Sequence, residues 1–311
     1  MNLMRSLVLL CALCGSCYAL ATTFPNRPLT LMIGFDPGGS TDVQAQVLAT
    51  ILTENLGQPV NVLHQPGAGG AVAAAMLANS PEQGYVMMFS SSHPFTFTPL
   101  ASSTSYDTTD FRFINSLAIQ QSVLVSGGVM PYSDWAGFLA YARQRPEVTF
   151  ASQTPQDRFV VRLIAQKENL NIRFVPTSGG SGSSPLVLSG DVDFAYSGGS
   201  HTAYTDDGQM NVLMALSTNR LEGYPDVPAI RELGYAFSDD ILRVVAVPSN
   251  TPDEQVTILA QALEKAARDP RFQAVSQRLR LPIAVYSETE LDDIFREQVE
   301  GYRHLIQAFG E

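Results

Sequence analysis

Apolar positions along the chain fall into short runs separated by glycine turns, and the first such unit sets the pattern for the rest. Leu29, Leu31, Met32, Ile33 and Phe35 form a nearly unbroken run, as in a strand covered on both faces. Asp36, Pro37, Gly38, Gly39 and Ser40 break it with turn residues. From Thr41 the apolar positions Val43, Val47, Leu48, Ile51, Leu52 and Leu56 recur at helical spacing. Gly57 supplies the stop, and Ser40 or Thr41 is the candidate N-cap. A strand over 59–63, a glycine turn over 64–70, a helix over 71–79 and a strand over 85–89 follow. Strand, helix, strand, helix, strand describes an α/β unit with a parallel sheet. Ligands of such sheets sit beyond the carboxyl ends of the strands, so Asp36–Thr41 and Ser90–His93 share one crevice. A helix N-terminus held there offers unpaired N–H groups and a positive dipole end to an anion. An ordinary strand-to-helix connection has the same pattern.

The texture repeats downstream. Strands are expected over 122–125, 148–151, 172–175, 192–196 and 212–217. Helices are expected over 135–143, with Ser133 as N-cap, and over 158–168. The stretches Ser152–Asp157 and Pro176–Ser184 read as polar loops, with a helical turn from Leu186 to Gly190. A strand over 242–247 and helices over 252–268, 270–279 and 288–309 close the chain. The simplest architecture is two α/β lobes with a return to the first. Residues 22–121 plus 246–311 then form one lobe and 122–245 the other.

The start of the chain changes where this fold is expected to work. Arg5 precedes an apolar run from Leu7 to Leu13, followed by small residues and Ala19-Leu20-Ala21. That is a secretory signal over 1–21 with cleavage near Ala21, too short to anchor a protein in a membrane. A competing reading takes Cys17 as a lipidation site. All three cysteines lie in this leader, so the exported chain is expected to have no disulfide or thiol chemistry. No later apolar stretch approaches a membrane span. A net charge of −11 argues against nucleic-acid binding and against docking on anionic lipid. It leaves an anionic ligand open, because distant charge is screened over roughly 8 Å whereas oriented N–H groups act at contact.

Other chemistry is weakly supported. Gly67-Ala68-Gly69-Gly70-Ala71-Val72 nearly spells a dinucleotide fingerprint, but Val72 fills the third position and no acid ends the next strand. Ser197, with His201 or His93 as base, resembles a hydrolase nucleophile without the full motif or the chain order of a triad. The four histidines are too scattered to suggest a metal site. Arg243 is either a carboxylate clamp or part of a surface or interlobe salt bridge. No cofactor, metal or catalytic residue is assigned.

Several phrases together resemble the substrate-binding proteins of tripartite tricarboxylate transporters, the Bug or TctC family. Phe24-Pro25-Asn26-Arg27-Pro28 is similar to the family's mature N-terminus, and Phe35-Asp36-Pro37-Gly38-Gly39-Ser40-Thr41-Asp42 to its F-x-PGG-x-x-D loop. Leu56–Val60 resembles LGQPV, Gln65–Gly70 PGAGG, Gln83–Tyr85 DGYT and Gly190–Asp193 GxVD. Tyr224–Pro228 with Glu232–Gly234 resembles PDVPT…E-x-G, and Pro248–Pro252 P-x-GTP. The resemblance implies a two-lobed periplasmic-binding-protein fold (Venus flytrap, type II), each lobe a mostly parallel sheet flanked by helices. It implies a monomer that captures a small organic carboxylate and presents it to a membrane permease; a sensor's binding subunit is the alternative. It also implies that one loop from each lobe holds the ligand. Ligand contacts are therefore expected at Phe35–Asp42, at Ser91, Ser92 and His93, at Ser152, Gln153, Thr154, Gln156 and Asp157, at Thr177 and Ser178, and at Ser197. Asp42 is either such a contact or only a helix cap. Four departures stand out: a second-lobe loop with Pro155 and Asp157 but no glycine, Pro176-Thr177-Ser178-Gly179 where many members have PYKG, the acid Asp36, and Leu242, with Arg243 beside it, where the family has tryptophan. A ligand with a hydroxyl or amino group near its carboxylate suits so polar a site.

Overall fold

The computed structural model describes residues 24–309. Cleavage near Ala21 and lipidation at Cys17 concern residues outside that range. The first lobe opens with β1 (Leu29–Ile33), α1 (Ser40–Leu56), β2 (Val60–His64), α2 (Ala71–Ala78) and β3 (Val86–Ser91). Two short helices, α3 (His93–Thr96) and α4 (Thr98–Ala101), lead into β4 (Phe111–Gln120). The second lobe contains β5 (Val123–Gly127), α5 (Trp135–Ala142), β6 (Val148–Ser152), α6 (Pro155–Glu168) and β7 (Ile172–Pro176). It continues through α7 (Gly180–Ser189), β8 (Phe194–Ser197), α8 (Thr202–Thr205) and β9 (Met210–Ala215). The chain returns through β10 (Ile241–Pro248) and ends with α9 (Asp253–Ala267), α10 (Pro270–Arg278) and α11 (Glu288–Phe309).

Both lobes use one plan. The sheet orders are β2-β1-β3-β10-β4 and β7-β6-β8-β5-β9. Each holds the expected parallel trio and adds one antiparallel strand, β10 or β5, between neighbours. The added strand is the one that brings the chain across from the other lobe. It therefore starts at the crevice, where β1, β3 and β6 end. The expected return at residue 246 falls inside β10, which is already paired in the first sheet from Ile241.

Alternation along β1 explains its double burial. Leu29, Leu31 and Ile33 pack against α1 and α9, while Met32 joins Met88, α2 and α11 on the other face. Each such buried side chain stabilises the fold by about 1.5–3 kcal/mol. The second sheet is clad by Phe138, Phe150 and Phe194 on one face and by Val125, Val187 and Met210 on the other.

Local starts differ from expectation in instructive ways. Gly39 caps α1, because the Ser40 hydroxyl is drawn away to the second lobe. Asp134, not Ser133, caps α5 by accepting from the Gly137 N–H at 2.7 Å. Helix α6 begins three residues early, as Thr154 and Asp157 form a reciprocal capping box around Pro155. The expected polar loop after Gly179 is the first turn of α7, a Gly/Ser-rich helix formed despite low propensity. Strand β4 had no counterpart in the pattern reading.

Candidate functional site

Where the strand ends of the two lobes meet lies a polar cavity of about 30 Å³. That volume holds roughly one water, so a larger molecule enters only with the lobes apart. The first lobe supplies Phe35, Gly39, Ser40, Thr41, Ser91, Gln120 and Arg243. The second supplies Gln153, Thr154, Gly180, Tyr196, Gly198 and Ser200. Two wider compartments of about 670 and 500 Å³ flank it along the crevice.

The lobes touch through backbone and short polar side chains. The Asp36 N–H donates to the Ser178 carbonyl at 3.3 Å, and the Ser178 hydroxyl donates to the Asp36 carboxylate. Ser40 Oγ donates to the Gly198 carbonyl at 3.2 Å. A Cβ on Gly39 would sit 3.9 Å from the Gly180 nitrogen and 4.0 Å from that of Ser181. The N-termini of α1 and α7 thus face each other, and the first-turn N–H groups of both lack acceptors within their helices. Two positive dipole ends meet at one point.

A full charge stands beside them. Arg243, on the third residue of β10 and paired with Ser91 in register, is 1 % exposed. Its Nη2 donates to Ser40 Oγ at 2.7 Å and to the Gly198 carbonyl at 2.9 Å. Its Nη1 donates to Gln44 Oε1 at 2.7 Å, and its Nε to Gln120 Oε1 at 3.3 Å. Gln44 is itself fixed by Ser276 Oγ at 2.8 Å. All four acceptors are uncharged oxygens. Burial lowers the guanidinium pKa to about 10, so it stays protonated at neutral pH. Arg243 is thus neither a surface residue nor a salt-bridge partner. It is a buried cation countered only by dipoles, a state that an incoming anion relieves.

Of the residues expected at the site, Phe35, Gly39, Ser40, Thr41, Ser91, Gln153 and Thr154 line the central cavity. Gly38 lines one side compartment, and Thr177 and Ser178 line the other. Asp36 stands beside Ser178, and Pro37, which has no N–H to offer, borders the turn. The others sit behind the wall. Asp42 turns back: its Oδ2 accepts from the Gly38 N–H at 2.8 Å, and its Oδ1 meets Gln46 Nε2 at 2.9 Å and His64 Nε2 at 2.8 Å. Burial works to raise its pKa, but the Gly38 N–H, Gln46 and His64 outweigh it and hold the carboxyl below its ordinary value.

His93, expected to face the crevice, is buried against Asp239, with Nε2 3.0 Å from Oδ1. Ser92 is buried, its N–H donating to the Leu242 carbonyl. The Ser152 carbonyl accepts from the N–H and hydroxyl of Thr177. Gln156 and Asp157 lie buried in the first turn of α6. Ser197 Oγ is 2.9 Å from His201 Nδ1, but burial pushes that imidazole down to about pKa 3, and its Nε2 is buried without a partner. A triad needs an acid on that nitrogen, so the pair is not a hydrolase centre.

The pattern reading missed Gln120, Gly180, Tyr196, Gly198 and Ser200, and left Arg243 open between a carboxylate clamp and a salt bridge. One signal was present: an arginine inside Ile-Leu-Arg-Val-Val-Ala-Val, an otherwise apolar buried strand. Among the described residues, no group of three or more His, Cys, Asp or Glu could hold a metal ion.

Two α/β lobes, a crevice at the crossing strands and opposed helix N-termini define a two-lobed, periplasmic-type solute-binding protein. A model of the tripartite tricarboxylate transporter family receptor matches residues 44–310, and the chain belongs to that family. It is 30 % identical over 259 residues to Protein BugT of Bordetella pertussis, covering 79 % of this chain and 78 % of BugT. The structure of the periplasmic binding protein BugD superposes with a TM-score of 0.85 at 22 % identity, over 92 % of this chain and 99 % of BugD. MatC from Rhodopseudomonas palustris with bound malate gives 0.83 at 20 % identity, over 91 % of this chain and all (100 %) of MatC. Membership sets the chain among solute-binding receptors, not enzymes. Among the described residues no helix is long and apolar enough to cross a membrane.

Proposed function

We propose that this receptor is exported, captures a small organic carboxylate between its lobes as a monomer, and delivers it to a membrane permease. One observation carries the reading. Arg243 is fully buried with only neutral acceptors, at the point where the N-termini of α1 and α7 meet. An acid group there gains charge-assisted hydrogen bonds from both lobes at once, which is what drives closure. The malate bound by MatC is a ligand of this chemistry.

Gly39→Val tests the position. Gly39 has φ −74° and ψ 167°, an extended conformation open to any residue, and its Cβ position is free of close contacts. The variant is expected to fold, while its side chain fills the space the carboxylate needs. Wild type should gain about 2.7 kcal/mol of stability at a carboxylate concentration 100 times the dissociation constant. Gly39→Val should lose most of that gain. Normal carboxylate binding by the variant rules out the anion position at this turn.

A further inference from the structure

Resting on the carboxylate reading, we infer that the ligand is a hydroxylated monocarboxylate: one acid group at the convergence point and an uncharged, hydroxyl-bearing body. The positive features of the crevice do not spread along it; they coincide. Arg243 Nη2 lies 2.7 Å from Ser40 Oγ in the first turn of α1, and the start of α1 lies against that of α7. These three features together serve one anion. A second carboxylate several ångströms away meets none of them.

The remaining walls are amides and hydroxyls. Among the described residues lining the central cavity, Arg243 is the sole charged side chain. Gln153 gives its amide N–H groups to Ser183 Oγ at 2.9 Å and to the Tyr196 carbonyl at 2.8 Å, which leaves its side-chain oxygen as an acceptor. Gln120 Nε2 donates to the Tyr196 hydroxyl at 2.8 Å, and Ser122 Oγ lies 3.3 Å from the same oxygen. Such groups satisfy hydroxyls, which both donate and accept, but leave a buried carboxylate without a counter-charge.

Acids guard the directions in which a longer diacid extends. On the second lobe, Asp157 already takes the N–H groups of Gln153 and Thr154, each at 2.8 Å, and Pro155 has none to offer. Asp36 stands at one side compartment beside Ser178. The other compartment is bordered by Asp206, Asp207 and Arg278; Asp206 is paired with Arg280, and Arg278 is exposed, where an ion pair gains little.

Calorimetry on the intact receptor at neutral pH, with two matched series, tests this. Lactate, glycerate and gluconate represent hydroxylated monocarboxylates; malate, tartrate and adipate represent dicarboxylates. The expected result is at least one monocarboxylate binding tenfold or more tighter than the best dicarboxylate. A dicarboxylate that binds as tightly or tighter overturns the single-charge inference while leaving the carboxylate site standing. Binding by neither series overturns the carboxylate reading itself, and this inference with it.

Discussion

The first turns of α1 and α6 are built from the same parts and do opposite things. Each follows a buried strand, each faces the crevice, and each carries an aspartate three residues beyond its cap, Asp42 after Gly39 and Asp157 after Thr154. Asp42 takes one backbone N–H, that of Gly38, and spends its other oxygen on Gln46 and His64. Asp157 takes two, those of Gln153 and Thr154, while Pro155 removes a third donor from the turn. The first lobe thus keeps donors for a guest, and the second supplies its own internal anion. In the proposed site that role falls, in the second lobe, to the N-terminus of α7, which lies against Gly39. Having a loop of the right kind is not enough; what matters is whether its donors are already taken.

The sharpest way to break the comparison is to remove the charge that only the first lobe has. Arg243→Met should weaken carboxylate binding about 10- to 100-fold, since four of the five guanidinium N–H groups already go to protein oxygens and the one left makes a charge-assisted bond worth about 1.5–3 kcal/mol, 1.4 kcal/mol being tenfold. The ligand-free protein should lose little stability, because the cost of burying the guanidinium disappears and offsets the Gln44 and Gln120 oxygens left without a donor. Calorimetry paired with a melting curve reads both. A large fall in ligand-free stability with binding retained would make Arg243 a structural strut.

Asp157 offers a second test, through pH. Burial pushes its carboxyl up to about 6 from an ordinary value of 3.8, against the pull of the Gln153 and Thr154 N–H groups, and its Oδ1 is buried without a partner. A raised folded-state pKa favours the protonated form in the fold. The resulting stability is fully present below pH 3.8 and is lost as pH rises through about 6. Its size is of order 3 kcal/mol, because each tenfold change in proton affinity is worth about 1.4 kcal/mol. Urea titrations of wild type minus Asp157→Asn should show that difference shrinking between pH 4 and pH 7. A difference that is flat across the window would mean that Asp157 is ionised throughout.

These residues also show what a sequence can and cannot disclose. The strand, glycine turn and helix of 29–57 were legible because apolar periodicity and turn chemistry act locally. The loop of Phe35–Asp42 was found for the same reason, and Gly39, Ser40 and Thr41 do line the cavity. His93 was misplaced because its burial against Asp239 depends on a partner 146 residues away. Gln120, Tyr196 and Gly198 were invisible because each reaches the cavity only at a strand end whose neighbours are set by the crossing of β5 and β10. The helical start of α7 was hidden by a Gly/Ser composition that reads as loop. The capping box of α6, by contrast, was written plainly in Thr154-Pro155-Gln156-Asp157 and could have been read.

The smallest expected effect sharpens the comparison from the other side. Asp42 has a pKa held below 3.8, because the Gly38 N–H, Gln46 and His64 outweigh the effect of burial. A lowered folded-state pKa gives stability that is present above the unfolded value near 3.8 and lost as pH falls through the folded one, the reverse of Asp157. Asp42→Asn should therefore cost about 1 kcal/mol or less at neutral pH, the range of an acid in a first helical turn, and less still at low pH. The asparagine keeps an acceptor for the Gly38 N–H, so the turn should hold its shape. Because Asp42 faces away from the cavity, the ranking of carboxylates should stay that of wild type. Calorimetry with the two acid series, beside a melting curve, checks both points. A changed ranking with an unchanged midpoint would bring Asp42 into ligand contact and remove the division of labour between a braced first-lobe turn and a self-capped second-lobe one.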